Sequence, residues 1–216
     1  MYMPENLGNK KGGKPAAPKE ILENYERQKA AFLQAGYVEQ QETITVKKAN
    51  VMAFVTAGPF AIMGVIVWLW YWKNFSGDFS MWDIACYLVL FMLCIFIHEL
   101  LHGVGWVLWT KQGFKSIHLG IMRENATPYC HCKEPLKPEQ YLFGCILPFV
   151  VLGICFLILA IITGSQMLLL LSVSNILSAG GDTTIVNMLK KYLGRKDCYI
   201  TDHPEQCGFV AFIKQV

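Results

Sequence analysis

The chain has 216 residues, of which 54% are hydrophobic and 16% charged, with a mean hydropathy of +0.35. Soluble domains carry about 25% charged residues and about 45–50% apolar ones, so the balance excludes an ordinary soluble domain and a disordered chain. The net charge of +3 is small and its basic residues sit beside apolar segments, which gives no nucleic-acid signal.

In chain order, residues 1–18 read as a basic, disordered tail. Between Pro18 and Gln34, the apolar residues Ile21, Leu22, Tyr25, Phe32 and Leu33 recur at roughly helical spacing. This predicts a short amphipathic helix on the membrane surface or on the protein's own cytosolic face, with a partner-binding motif as the other reading. Four apolar spans follow. The first covers residues 49–72 and closes on Trp68, Trp70, Tyr71 and Trp72, the aromatic belt of a membrane interface. The second covers residues 82–110, with Glu99 as its only formal charge past Asp83. From Gln140 through Gly181 no charged residue occurs in 42 positions, about 63 Å as helix and twice the roughly 30 Å of a bilayer core. A turn at Thr163-Gly164-Ser165-Gln166 divides that stretch into a third span, residues 141–162, bent by Pro148, and a fourth, residues 167–189. The predicted fold is therefore an all-α integral membrane protein of about four transmembrane helices. It comprises residues 1–48 as a cytoplasmic N-terminal tail and amphipathic helix, 49–189 as the membrane core and 190–216 as a cytoplasmic C-terminal tail. Eighteen of the nineteen basic residues fall on one side if both termini are cytoplasmic, the arrangement the positive-inside rule favours. None of the eight cysteines then sits where disulfides form readily.

Between the second and third spans, residues 115–123 partly alternate apolar and polar, followed by a turn-prone Glu124-Asn125-Ala126-Thr127 and then Pro128 to Cys132. The segment reads either as a β-hairpin dipping toward the site or as a surface loop. Cys130-His131-Cys132 is a poor metal motif, since adjacent side chains do not easily converge on one ion.

The chemistry is carried by His98-Glu99-Leu100-Leu101-His102, an H-E-x-x-H sequence. On a helix, positions i and i+4 share a face, so two imidazoles reach one ion while the intervening carboxylate addresses its water. With five His and eleven Glu in the chain, chance supplies such a match about 0.006 times. Inside an apolar helix these residues are costly and normally functional, the alternative being polar glue between helices. A zinc hydrolase needs a third protein ligand. Asp182, the only charge of the fourth span, follows Gly180 and Gly181. Counted from the far ends of their spans, His98 and Asp182 both lie about 22–24 Å deep. Asn175, two turns before Asp182, either holds a substrate carbonyl and orients the site or packs helices together. The readings are a zinc metalloprotease with one Zn2+ per chain, a non-catalytic scaffold or pseudo-protease, and a zinc sensor or carrier. A membrane di-iron hydroxylase is excluded, since it needs about eight histidines.

An H-E-x-x-H in one transmembrane helix with an aspartate beside glycine in a later one resembles the site-2 proteases, which are intramembrane zinc metalloproteases. The chain is more similar still to a family of small bacterial membrane proteins described as zincin peptidases and catalogued as a domain of unknown function. That likeness runs from about residue 49 to 209 and includes Pro128-Tyr129-Cys130, Leu147-Pro148-Phe149, Asn175 with Gly181-Asp182, and Asp202-His203-Pro204-Glu205. Site-2 proteases have Asn-Pro ahead of their aspartate and glycine after it, whereas here Gly181 precedes Asp182 and no proline follows Asn175. The resemblance implies His98, His102 and Asp182 as zinc ligands and Glu99 as base. It also implies a multi-pass protein of a bacterial cell membrane, acting on a membrane protein or peptide that pairs with the hairpin as an added strand.

Overall fold

The computed structural model describes residues 18–73, 75–122 and 127–215; the basic tail read in residues 1–17 lies outside them. Helix α1, Lys19–Gln34, and strand β1, Tyr37–Thr43, lead into the first long helix, α2, Val46–Trp72. The Thr45 hydroxyl caps α2 by accepting the Lys48 N–H at 3.3 Å, and Lys73 ends it in a left-handed conformation at φ 55°. Helix α3, Met81–Val107, opens on a capping box. The Ser80 hydroxyl accepts the Asp83 N–H and the Asp83 carboxylate accepts the Ser80 N–H, so the donors of the first turn are satisfied from the sequence itself.

Helix α4, Pro138–Pro148, runs into a π-helical turn, Phe149–Ile154, and then α5, Cys155–Thr163, which stops at Gly164 with φ 70°. The widened turn follows directly on Pro148, which brings no N–H to the helical ladder; the sequence expectation of a bend at Pro148 corresponds here to a π-helical turn within a stretch long enough for one span. Helices α6, Gln166–Ser178, and α7, Gly180–Leu189, replace the expected straight fourth span. Val51–Trp72, Met81–Val107 and Pro138–Thr163 are each long and apolar enough to cross a membrane. The α6–α7 stretch makes a fourth if its 44° bend lies within one span.

The fold is mostly helical rather than all-α. The hairpin between α3 and α4 is present as β2, Ile117–Met122, paired antiparallel with β3, Thr127–Cys132. Of the turn read at Glu124-Asn125-Ala126-Thr127, residues 124–126 lie outside the described residues. A second sheet corrects the all-α expectation. Strands β4, Cys198–Asp202, and β5, Gly208–Lys214, join β1 in the antiparallel order β1-β5-β4. The segments flanking the long apolar helices thus pair with each other. Strand β5 is apolar on both faces because both are covered. Val210 and Phe212 pack on Tyr25 and Phe32 of α1, while Phe209 and Ala211 pack on Trp106, Tyr141 and Leu189 at the ends of α3, α4 and α7. The Glu42 carboxylate of β1 holds Lys191 Nζ and the Tyr192 hydroxyl at 2.7 Å each, fixing the sheet to the end of α7. Burial raises the Glu42 carboxyl and those donors outweigh it, leaving it below the ordinary range.

Two close helix contacts rest on missing β-carbons. A Cβ on Gly180 would lie 2.4 Å from that of Ala53, which brings α7 onto α2. A Cβ on Gly144 would lie 2.1 Å from Trp106 Nε1, so α4 can lie under the indole only because that atom is absent. Gly144→Ala is therefore expected to cost about 1–3 kcal/mol through overpacking, read as a lowered thermal midpoint in detergent.

Candidate metal centre

Helix α3 places His98 and His102 one turn apart on the face turned toward α7, both almost fully buried at 8% and 6% exposure. The start of α7 brings Asp182 between them. His98 Nε2 lies 3.0 Å from Asp182 Oδ2, and His102 Nε2 lies 3.3 Å from Asp182 Oδ1. The two Nε2 atoms are 3.2 Å apart. Among the described residues this is the only set of three or more His, Cys, Asp or Glu whose ligand atoms converge, all within 4.8 Å of one another. The matched depths counted on two separate spans thus correspond to direct proximity, even though α7 is bent away from α6.

The donor set fits a divalent zinc. Tetrahedral bonds of about 2.0–2.2 Å to nitrogen and oxygen set ligand atoms roughly 3.3 Å apart, close to the 3.0–3.3 Å between the two Nε2 atoms and from each to its nearer Asp182 oxygen. Asp182 Oδ2 is buried without a hydrogen bond, although His98 Nε2 is 3.0 Å away. A buried carboxylate oxygen left without a hydrogen bond among imidazole nitrogens is costly and is relieved by a cation. On its other side His102 Nδ1–H donates to the Gly144 carbonyl at 2.9 Å. That bond fixes the tautomer and leaves Nε2 free to ligate, the usual support of a metal-bound histidine.

Glu99 is turned about 100° around α3 from His98, toward the hairpin. Its carboxylate accepts the Cys130 backbone N–H and borders an apolar cleft of about 190 Å³ with Phe96, Leu119, Ile121 and Tyr129. Asn175 is buried in the packing of α6 against α3. Its Nδ2 donates to the Leu171 carbonyl at 2.8 Å and its amide meets the Cys94 thiol, one turn before His98. Cys130 and Cys132 do not form a second site with the histidine between them. Burial first, and then the nearby Asp202 carboxylate, pushes the Cys132 thiol up to about 12 and raises the Cys130 thiol as well, so neither is a ready thiolate. All eight cysteines are free thiols.

Sequence reasoning passes over three supports. Trp106, four residues after His102, stacks on its ring at 5.4 Å and 15°, and Tyr141 stacks on Trp106 at 5.3 Å and 19°. Trp106 Nε1 donates to the Tyr141 carbonyl at 3.0 Å. The i+4 spacing from His102 is a signal for Trp106; Tyr141 and the Gly144 carbonyl have none, because they reach the site only through the α3–α4 packing.

No curated protein and no solved structure matches the chain. Residues 91–196, which hold both histidines, Glu99, the hairpin and Asp182, match the model of a family described as "Putative zincin peptidase". Over that stretch, just under half of the chain, the sequence is similar to this zincin peptidase family.

Proposed function

We propose that the protein is a membrane-embedded zinc metalloprotease, with one zinc per chain held by His98, His102 and Asp182, that hydrolyses peptide bonds of membrane-associated proteins. The observation that carries this reading is the convergence of two Nε2 atoms 3.2 Å apart, each 3.0–3.3 Å from one oxygen of the Asp182 carboxylate, whose Oδ2 has no hydrogen bond. Zinc held there would supply a Lewis acid for the peptide carbonyl and lower the pKa of a bound water. Glu99, the next residue after His98, would take a proton from the attacking water and return it to the leaving amine. The Cys130 N–H holds the Glu99 carboxylate in its orientation, and the Gly144 carbonyl holds the His102 ring.

The substrate is a membrane protein or peptide whose scissile segment is extended. Leu119 opposes Cys130 in the hairpin, and the Cys130 N–H is turned out of the ladder toward Glu99. That pair is therefore a non-hydrogen-bonded one, and the Leu119 main chain faces outward along β2. Leu119 and Ile121 of β2 line the apolar cleft that Glu99 borders, so a strand added on β2 would extend the sheet that walls this cleft. The three to four apolar spans and the one-sided distribution of basic residues support a multi-pass protein of the cell membrane with both termini cytoplasmic.

Metal analysis of protein purified in detergent tests this reading. Wild type is expected to carry one zinc per chain and His98→Ala less than a tenth of that, with cleavage of membrane peptides by wild type stopped by a chelator and restored by zinc. A wild type that binds zinc and cleaves nothing would favour a sensor or scaffold.

A further inference from the structure

We infer that Asp202, outside the His98–His102–Asp182 group and in the C-terminal sheet, is a positioning residue that sets the orientation of both Glu99 and His102; this rests on the metalloprotease reading. Asp202 ends β4, and its side chain is 12% exposed. Its two carboxylate oxygens take up different parts of the site. Oδ2 accepts the Cys132 backbone N–H at 2.7 Å and lies 3.8 Å from His131 Nδ1. Oδ1 accepts the Tyr141 hydroxyl.

The first arm leads to Glu99. Cys130 and Cys132 are two apart in β3, so their N–H groups leave the same edge, the one turned away from β2. Two carboxylates therefore hold that edge, Glu99 of α3 at Cys130 and Asp202 of β4 at Cys132. The third residue on the same edge is Pro128, which has no N–H to satisfy. With Asp202 fixing Cys132, the Cys130 N–H is presented to Glu99 in one register. Without it, the edge is tied only to the residue it is meant to orient.

The second arm leads to His102. Tyr141 lies on α4 one turn before Gly144, the residue whose carbonyl receives His102 Nδ1–H. The Tyr141 ring is also the outer layer of the stack through Trp106 to His102. Anchoring its hydroxyl fixes the azimuth of α4 at the point where α4 meets the imidazole. A single side chain from a strand near the C-terminus thus braces the base and one proposed ligand, and outer-shell partners of this kind typically change metal affinity or activity about 10–100-fold when removed.

The test uses the full chain in detergent and compares Asp202→Ala, Asp202→Asn and Tyr141→Phe with wild type. Three quantities are read: zinc affinity by competition with a chromophoric chelator, the visible spectrum of protein loaded with Co2+, and amide exchange over residues 117–132 in metal-free protein. Asp202→Ala is expected to weaken zinc binding at least tenfold, shift the cobalt bands and speed exchange at Cys130 and Cys132. Asp202→Asn is expected to recover part of this, because its amide oxygen still accepts the Cys132 N–H. Tyr141→Phe, which keeps the ring stack, is expected to weaken zinc binding by a smaller factor and leave β3 exchange unchanged. A merely structural role would lower thermal stability while leaving zinc affinity, cobalt spectrum and exchange in the folded protein at wild-type values. That result in Asp202→Asn and Tyr141→Phe overturns the inference even if Asp202→Ala fails to fold. A wild type that binds no zinc overturns the metalloprotease reading and this inference with it; wild-type behaviour of the variants in a zinc-binding, peptide-cleaving protein overturns this inference alone.

Discussion

Asp182→Asn is expected to make the protein's thermal stability indifferent to zinc, whereas wild type gains about 5–10 °C when zinc is raised to a hundred times its dissociation constant. The magnitude follows from linkage. Binding to the folded state alone adds about 2.7 kcal/mol at that ratio, and a chain of this size moves its midpoint by about 2–4 °C per kcal/mol. Asparagine matches aspartate in shape, so the contacts of α7 with α2 through Gly180 and Ala53 survive the change. Its loss is confined to charge and to one of the two oxygens now 3.0 and 3.3 Å from the imidazoles. Two neutral histidines without an anion hold a divalent ion far more weakly, and zinc affinity is expected to fall by more than about 100-fold, beyond the range seen for outer-shell changes. The comparison is run by differential scanning with zinc and with a chelator. A wild-type midpoint that ignores zinc, or an Asp182→Asn midpoint that follows it, contradicts the assignment.

The reason Asp182 is legible in the sequence is the one that makes its replacement informative. A lone carboxylate in an apolar run cannot be solvated by its surroundings, and the spacing of the span ends puts it level with His98. The H-E-x-x-H periodicity and the helix irregularity at Pro148 are equally local, and each appears where the sequence puts it. The sheet β1-β5-β4 is not local in this sense. Strand β1 reads Tyr-Val-Glu-Gln-Gln-Glu-Thr, too polar to announce a buried partner, and it pairs with a strand about 170 residues later in the chain. Strand β5, Gly-Phe-Val-Ala-Phe-Ile-Lys, lacks period-2 alternation because α1 covers one face and the ends of α3, α4 and α7 cover the other. Gly144 and Asp202 were hidden for a related reason. One acts through its backbone carbonyl and a missing Cβ, the other by bonding a strand and a helix that come together only in the folded chain. Ligands advertise themselves by type and spacing, whereas the groups that aim them are defined by tertiary contact.

Glu99→Gln is the complementary case, in which zinc is retained and chemistry is lost. The Glu99 side chain is not one of the three converging donors and faces the hairpin, with the Cys130 N–H on its carboxylate. Glutamine keeps an oxygen there to accept that N–H, so the hairpin stays seated and the three donors are untouched. What the amide cannot do is take up a proton at neutral pH. General acid–base catalysis contributes about 10²–10⁴-fold, and here one residue both accepts and returns the proton, so a loss at the upper end of that range is expected, with zinc content within error of wild type. Glu99→Ala separates the two duties of the residue. It removes the proton acceptor and also frees the Cys130 N–H, so it is expected to add faster amide exchange along β3 to the same loss of cleavage. In cells the glutamine variant is expected to accumulate uncut membrane proteins relative to wild type, detectable by quantitative proteomics of the membrane fraction. Retained cleavage in Glu99→Gln would remove Glu99 as the base and leave the zinc site standing without the catalytic role assigned to it.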